Sequence, residues 1–225
     1  MEQKTFALKG NIIYTKERTR FEVMEQGWLV CEEGRVRDVY SVLPEELKGI
    51  PVEDMGDRLI IPGLTDLHIH APQYTFRSLG MDMELLEWLE TNTFPEESKY
   101  KDSEFAKTAY GSFAEQLKKS ATVRACIFGT IHNEATLILM DLLEEAGLHT
   151  MVGKVNMDRN SPDYLCEPSA EASAQATREW LKAVADRKYK HTRPILTPRF
   201  TPSCTDELME LLKEIQTEPH LPVQS

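Results

Sequence analysis

The stretch IIPGLTDLHIHAPQYTF, residues 60–76, decides how the rest of the chain is read. An apolar run, Leu59-Ile60-Ile61, passes through Pro62-Gly63 into Leu64-Thr65-Asp66-Leu67-His68-Ile69-His70. Side chains alternate faces along a strand, so residues two apart share a face. His68 and His70 are therefore expected to aim both imidazoles at one point, with Leu67 and Ile69 packed on the opposite face. Two neutral imidazoles converging at a strand's C-terminal end form a half-site for zinc, and imidazole accepts iron as well. Asp66 shares the histidine face and is placed to orient a ligand, or to be an ordinary satisfied carboxylate.

Downstream of this stretch, strand-like runs alternate with helical patterns. Strands are expected at Leu59–His68, Ala121–Gly129, Thr150–Asn156, Pro194–Arg199 and Leu221–Ser225. Helices are expected at Met83–Thr91, Ser103–Ser120, Glu134–Ala146, Ser169–Arg187 and Asp206–Thr217, with Gly147 as a C-terminal stop. Such alternation builds βαβ units and a parallel sheet. The expected class is α/β: a partial (β/α)8 TIM-type barrel of about five strands over residues 59–225. In such barrels chemistry sits at the C-terminal strand ends. Upstream, residues 1–58 read as short strands (Thr5–Leu8, Asn11–Tyr14, Glu22–Cys31, Arg35–Ser41), broken at Gly10 and Glu32-Glu33-Gly34. A brief helical turn is expected near Pro44–Lys48. This is expected to be a small N-terminal β-sandwich portion.

Composition narrows the function. The 225 residues are 41% hydrophobic, enough for a real core, and carry a net charge of -11, which argues against general binding to a phosphate backbone. No run approaches the apolar length of a membrane span, and MEQKTFALKG has no signal-peptide core. The four cysteines, Cys31, Cys126, Cys166 and Cys204, form no C-x-x-C pair, which fits free thiols in a reducing cytoplasm.

Other strand ends supply further candidates. Gln73 can donate and accept at once and suits an amide-like or purine edge, though by itself a loop surface position is the better account of it. Arg199 and Phe200 suit a clamp on a flat heterocycle, guanidinium to a carbonyl and ring against ring. An ion pair and a core aromatic are the plainer alternative. His132 reads as a mouth-lining or capping residue, and His149, His191 and His220 as structural or solvent-exposed. The acidic runs Glu84–Glu90 and Glu96-Glu97 read as solvated faces, with Leu86 and Trp88 as neighbouring substrate contacts. Cys204 reads as a small buried residue.

Taken together, these residues resemble a known family. Pro-Gly-Leu-x-Asp-x-His-x-His resembles the first-strand signature of the amidohydrolase superfamily. His68-Ile-His-Ala-Pro-Gln-Tyr74, Leu85-Leu-Glu-Trp-Leu89, Thr93-Phe-Pro95, Gly153-Lys-Val-x-Met-Asp158 and Thr197-Pro-Arg-Phe200 with Ser203-Cys204 resemble the guanine deaminases within it. The resemblance implies zinc-dependent hydrolytic deamination of guanine to xanthine and ammonia. It makes His68 and His70 metal ligands and His70, Gln73, Arg199 and Phe200 substrate-binding. Zn2+ is the implied cofactor, with Fe2+ also compatible, and guanine the small-molecule partner. A homodimer is implied by the resemblance; a cytoplasmic location is expected from the missing signal-peptide core and unpaired cysteines, and the absence of a nucleic-acid or membrane partner from the charge and the lack of an apolar span. The family's third and fourth histidines, catalytic glutamate and late aspartate are expected beyond Ser225, so no catalytic acid or base is expected within these residues. The 225-residue chain alone is expected to be inactive. Alternatives are an amidohydrolase of another heterocycle (a pterin, cytosine or triazine) and a truncated non-catalytic remnant. The H-x-E…P-C-x-x-C pattern of cytidine-deaminase zinc sites is missing.

Overall fold

Two units, Met1–Gly63 and Leu64–Ser225, make up the computed structural model, which describes residues 5–217 and 220–225. The first unit holds β1 (Phe6–Glu17), β2 (Arg20–Glu32), β3 (Arg35–Tyr40) and β4 (Val52–Ile60) in one sheet of order β3-β2-β1-β4. β1 is antiparallel to β2 and parallel to β4. Turns join the hairpins at Arg18-Thr19 and at Glu33-Gly34, where both residues of the second take positive φ, the backbone twist that two-residue hairpins need. Gly10 does not end β1; the strand runs on through it with a register shift before Ile12. Ala7, Val30 and Leu47 form a small core under Trp28, Tyr40, Leu43 and Ile50. A single sheet, with a 3₁₀ turn at Glu45–Leu47, is what the described residues of this unit contain, without a second layer.

In the second unit, β5 (Leu64–His70), β6 (Thr122–Phe128), β7 (His149–Gly153) and β9 (Thr192–Pro194) form a parallel sheet in that order. β8 (Val155–Asn156) pairs in parallel with β10 (Thr197–Pro198). The helices are α1 (Leu85–Trp88), α2 (Phe94–Ser98), α3 (Ser103–Lys118), α4 (Asn133–Glu145), α5 (Ala170–Arg187) and α6 (Asp206–Thr217). The amphipathic faces of α3, α4 and α5 supply Tyr110, Phe113, Leu139, Met140, Leu143, Trp180 and Val184 to one core, closed by Ala125, Ile127 and Val152 of the sheet. Asp102 caps α3 by accepting from the backbone N–H of Glu104 and Phe105. Ser169 caps α5 through Ala172. α4 ends at Gly147, whose positive φ lets Gly147 and Leu148 donate back to Glu144 and Leu143.

Several expected strands divide. The run Leu59–His68 is two strands: Leu59 pairs with Asn11 in β1's sheet, and Ile61-Pro62-Gly63 separates it from β5. Thr150–Asn156 divides at Lys154 and Pro194–Arg199 at Ile195-Leu196, because Leu196 turns to bond residues 222–224 on its other side. Leu221–Ser225 contributes a single bridge, Leu196 to Val223. Gly153 makes the crossing possible: a Cβ there would lie 1.7 Å from Thr197 Oγ1. Leu67, expected to pack on the face opposite the histidines, is instead 72% exposed.

Candidate functional site

The C-terminal ends of the parallel strands open into a cavity of about 920 Å³ in the second unit. His68, His70, Gln73, Arg199 and Phe200 all line it, drawn from two chain segments more than a hundred residues apart. Leu86 and Trp88 line it too, as does Phe128 at the end of β6.

The two histidines do not follow plain strand alternation. Asp66 faces Ala125 and Ile69 faces Ile127, so Leu67 and His68 together oppose Cys126, which is a bulge. The Asp66 carboxylate accepts from the backbone N–H of His68 at 3.0 Å, holding the bulged backbone rather than a ring. Both imidazoles then rest on Phe128, His70 stacked at 4.3 Å and His68 tilted at 4.8 Å. Burial, then the nearby Arg199 charge, then His68, push the His70 pKa down to about 3. The ring is therefore neutral, the form that binds metal.

A divalent metal suits this pair. Imidazoles sharing one tetrahedral zinc at about 2.0–2.1 Å keep their centroids about 5 Å apart, and His68 and His70 stand 5.1 Å apart. His70 Nδ1 is buried with no hydrogen-bond partner. Among the described residues no cluster of three or more metal-ligating side chains is present.

Gln73 sits in a 3₁₀ turn, Ala71–Phe76, pinned from behind where the Tyr100 hydroxyl donates to Pro72 O at 3.2 Å. Arg199 follows β10 and is 7% exposed. Its Nη1 donates to Glu97, itself 1% exposed, and its Cζ lies 5.5 Å from the Phe94 ring centroid. Glu97, read from sequence as a solvated acid, is thus a buried partner of the site; the spacing Phe94…Glu97 on one helical face was the available signal. Phe200 is half exposed and has φ 61° and ψ 116°, a strained backbone for a non-glycine residue. Neighbours hold it there: Ser203 N–H donates to Phe200 O, and Arg159 and Asn160 donate to Thr201 O and Pro202 O.

Behind β8 and β10, buried Lys154 pairs with Glu167, whose carboxylate also accepts from Met157 N–H and Ser173 Oγ. Asn156 Nδ2 donates to Ser173 and Thr177, and Asn156 O accepts from Arg199 N–H at 3.1 Å. Lys154 and Asn156 fall within the Gly153–Asp158 motif, but their buried partner Glu167 stands thirteen residues from Lys154, with no local pattern joining the two. His132 takes the position before α4 and does not line the cavity. His149 and His191 face each other at 5.0 Å at the opposite strand ends. Cys204 is 1% exposed, and burial pushes its thiol up to about 12, which leaves it inert. No helix among the described residues is long and apolar enough to cross a membrane.

Residues 59–224 match the Amidohydrolase family. A guanine deaminase of Dictyostelium discoideum is 36% identical over 96% of this chain and 52% of its own length. A guanine deaminase of Mus musculus is 34% identical over 96% of this chain and 44% of its own length. The crystal structure of a guanine deaminase from C. acetobutylicum, with guanine bound in its active site, superposes with a TM-score of 0.92 at 42% identity. That match covers 98% of this chain and 52% of that one. The chain spans about half the length of the relatives it matches.

Proposed function

The chain belongs to the amidohydrolase family, and from that premise we propose that it carries the metal half-site and the purine-binding wall of a guanine deaminase. The reaction consumes guanine and water and yields xanthine and ammonia. The observation that carries this reading is the convergence of His68, His70, Gln73, Arg199 and Phe200 on one cavity. The likeness to guanine deaminases, one with guanine bound, supports it. The parallel strands of the second unit are, in this reading, staves of a (β/α)8 barrel with its chemistry at their C-terminal ends.

In this reading His68 and His70 hold a divalent metal, zinc or iron. A metal held there would lower the pKa of water toward about 7 and so would supply hydroxide for attack on the carbon bearing the exocyclic amine. His70 stays neutral and presents a lone pair. Arg199 donates to the purine carbonyl, Gln73 meets a polar edge of the ring, and Phe200 covers its face. A stable zinc site takes three or four protein ligands, and proton transfer to the leaving ammonia needs an acid. Those groups come, in this reading, from protein outside these residues. A working enzyme of this kind is expected to act as a homodimer in the cytoplasm.

The test is xanthine formation from guanine by the product of the whole gene, loaded with zinc or ferrous iron. Turnover that falls by about a hundredfold with Arg199→Ala is expected from loss of a charge-assisted hydrogen bond and its positioning. Absence of turnover in the metal-loaded protein, or unchanged guanine kinetics in that variant, would sink the assignment. Turnover of a pterin, cytosine or a triazine in place of guanine would favour another amidohydrolase, and none at all a non-catalytic remnant.

A further inference from the structure

Arg199 has an unusual position for a residue that meets a ligand. It lines the cavity yet is almost wholly buried, and its charge is answered by one carboxylate, Glu97, from a segment 102 residues earlier. An unpaired guanidinium so deep in protein would turn toward solvent or carry a large desolvation cost. Phe94, one turn before Glu97, supplies a ring 5.5 Å from the guanidinium carbon. One helical turn thus grips Arg199 by charge and by a π face.

The helix is shaped for that grip. Residues Leu89–Thr93 form a wide turn in which the Phe94 N–H reaches back five residues to Leu89 O. Pro95 follows directly, and its ring and missing N–H disfavour a regular turn across this point. The wide turn shifts the phase of α2, so that Phe94 and Glu97 are both buried. Burial pushes the Glu97 carboxyl up, while the Arg199 charge and, last, Gln73 pull it down.

We propose that Glu97 is a positioning residue that locks Arg199 with its free N–H edge toward the cavity, so that the site selects purines bearing a carbonyl at that edge. Guanidinium has five N–H donors in a rigid fork. Engaging one on Glu97 fixes the plane in which the others present themselves. Specificity then depends on a residue that does not line the cavity itself. This inference rests on the guanine-deaminase reading for its substrate, and on the Glu97–Arg199 pairing for its geometry.

The experiment compares wild type with Glu97→Gln and Glu97→Asp in the metal-loaded product of the whole gene. Substrates are guanine and 2-aminopurine, which carries the same amine but lacks the carbonyl. In Glu97→Gln, KM for guanine is expected to rise about tenfold to a hundredfold, the range of one charge-assisted hydrogen bond. Turnover of 2-aminopurine should change little, so the guanine preference collapses, and Glu97→Asp should restore part of it. A parallel loss on both substrates with the preference intact would overturn the proposal and leave Glu97 a structural residue. A second readout is independent of turnover: the Arg199 Nη–H signals in arginine-15N-labelled protein, since Nη1 is the donor to Glu97. They should be slow to exchange in wild type and fast in Glu97→Gln; equal exchange overturns the locking. If wild type deaminates neither purine, the substrate assignment falls with its selectivity, and the exchange readout alone decides the positioning.

Discussion

Glu97 and Arg199 form a buried ion pair across the wall of the cavity, one from a helix and one from a strand end 102 residues later. Breaking such a pair on one side leaves an uncompensated buried charge, which costs about 3–5 kcal/mol, whereas removing both charges costs much less. Arg199→Met should therefore lower stability strongly, and the double variant with Glu97→Gln should recover most of the loss. Denaturant midpoints for wild type, both single variants and the double variant measure it. Additive losses would mean that the pair is not coupled.

Chelation is expected to abolish deamination, and zinc or ferrous iron to restore it. His68→Ala and His70→Ala should each lower metal content, read by elemental analysis, because each removes an imidazole of the 5.1 Å pair. Retention of one metal per protein in the double variant would place the ion elsewhere.

The depressed pKa of His70 has a consequence for the metal-free protein. The unfolded side chain binds its proton below about 6.5, and the folded one only near 3. Between these values the unfolded state holds the extra proton, so stability rises with pH there. The contribution is complete above about 6.5 and is lost progressively as pH falls toward 3. Thermal scans across this window should show a shallower slope for His70→Asn than for wild type. Equal slopes would contradict the burial of a neutral His70.

Phe200 separates strain from recognition. At φ 61° glycine is unstrained and alanine is not. Phe200→Gly should be about 1 kcal/mol more stable than Phe200→Ala, while both lose stacking and raise KM for guanine by about tenfold. Paired melting and kinetic measurements test both statements. A glycine variant less stable than the alanine variant would contradict backbone strain at this position.

Lys154 and Glu167 give a further stability prediction. Both are buried and joined to Asn156 through Ser173. Glu167→Ala should cost about 3–5 kcal/mol by stranding the ammonium. It should also loosen the β8–β10 pairing from which Arg199 extends, visible as faster amide exchange at Arg199, whose N–H bonds Asn156 O. An unchanged midpoint would mean that water replaces the carboxylate.

Much of the second unit was legible in the sequence. The helices Ser103–Lys118, Ala170–Arg187 and Asp206–Thr217 lie within two residues of the expected spans, because helical periodicity acts within a few residues along the chain. Turn signals likewise marked Glu33-Gly34 and Gly147. Strand limits were harder: Leu59 and Leu64 read as one run but join different sheets, and no local preference says which neighbour a strand takes.

The alternation of strands and helices, and the residue types that reach the strand ends (paired imidazoles, Gln73, and Arg199 beside Phe200), follow from the order of residues along the chain. Periodicity and turn chemistry are local, so they are written in neighbouring letters. The sharing of one cavity by these residues, the burial that keeps His70 neutral, the strain at Phe200 and the burial of Glu97 against Arg199 arise in the folded chain alone. Each of those depends on groups brought together from distant segments, where desolvation and Coulomb forces act through space and not along the chain.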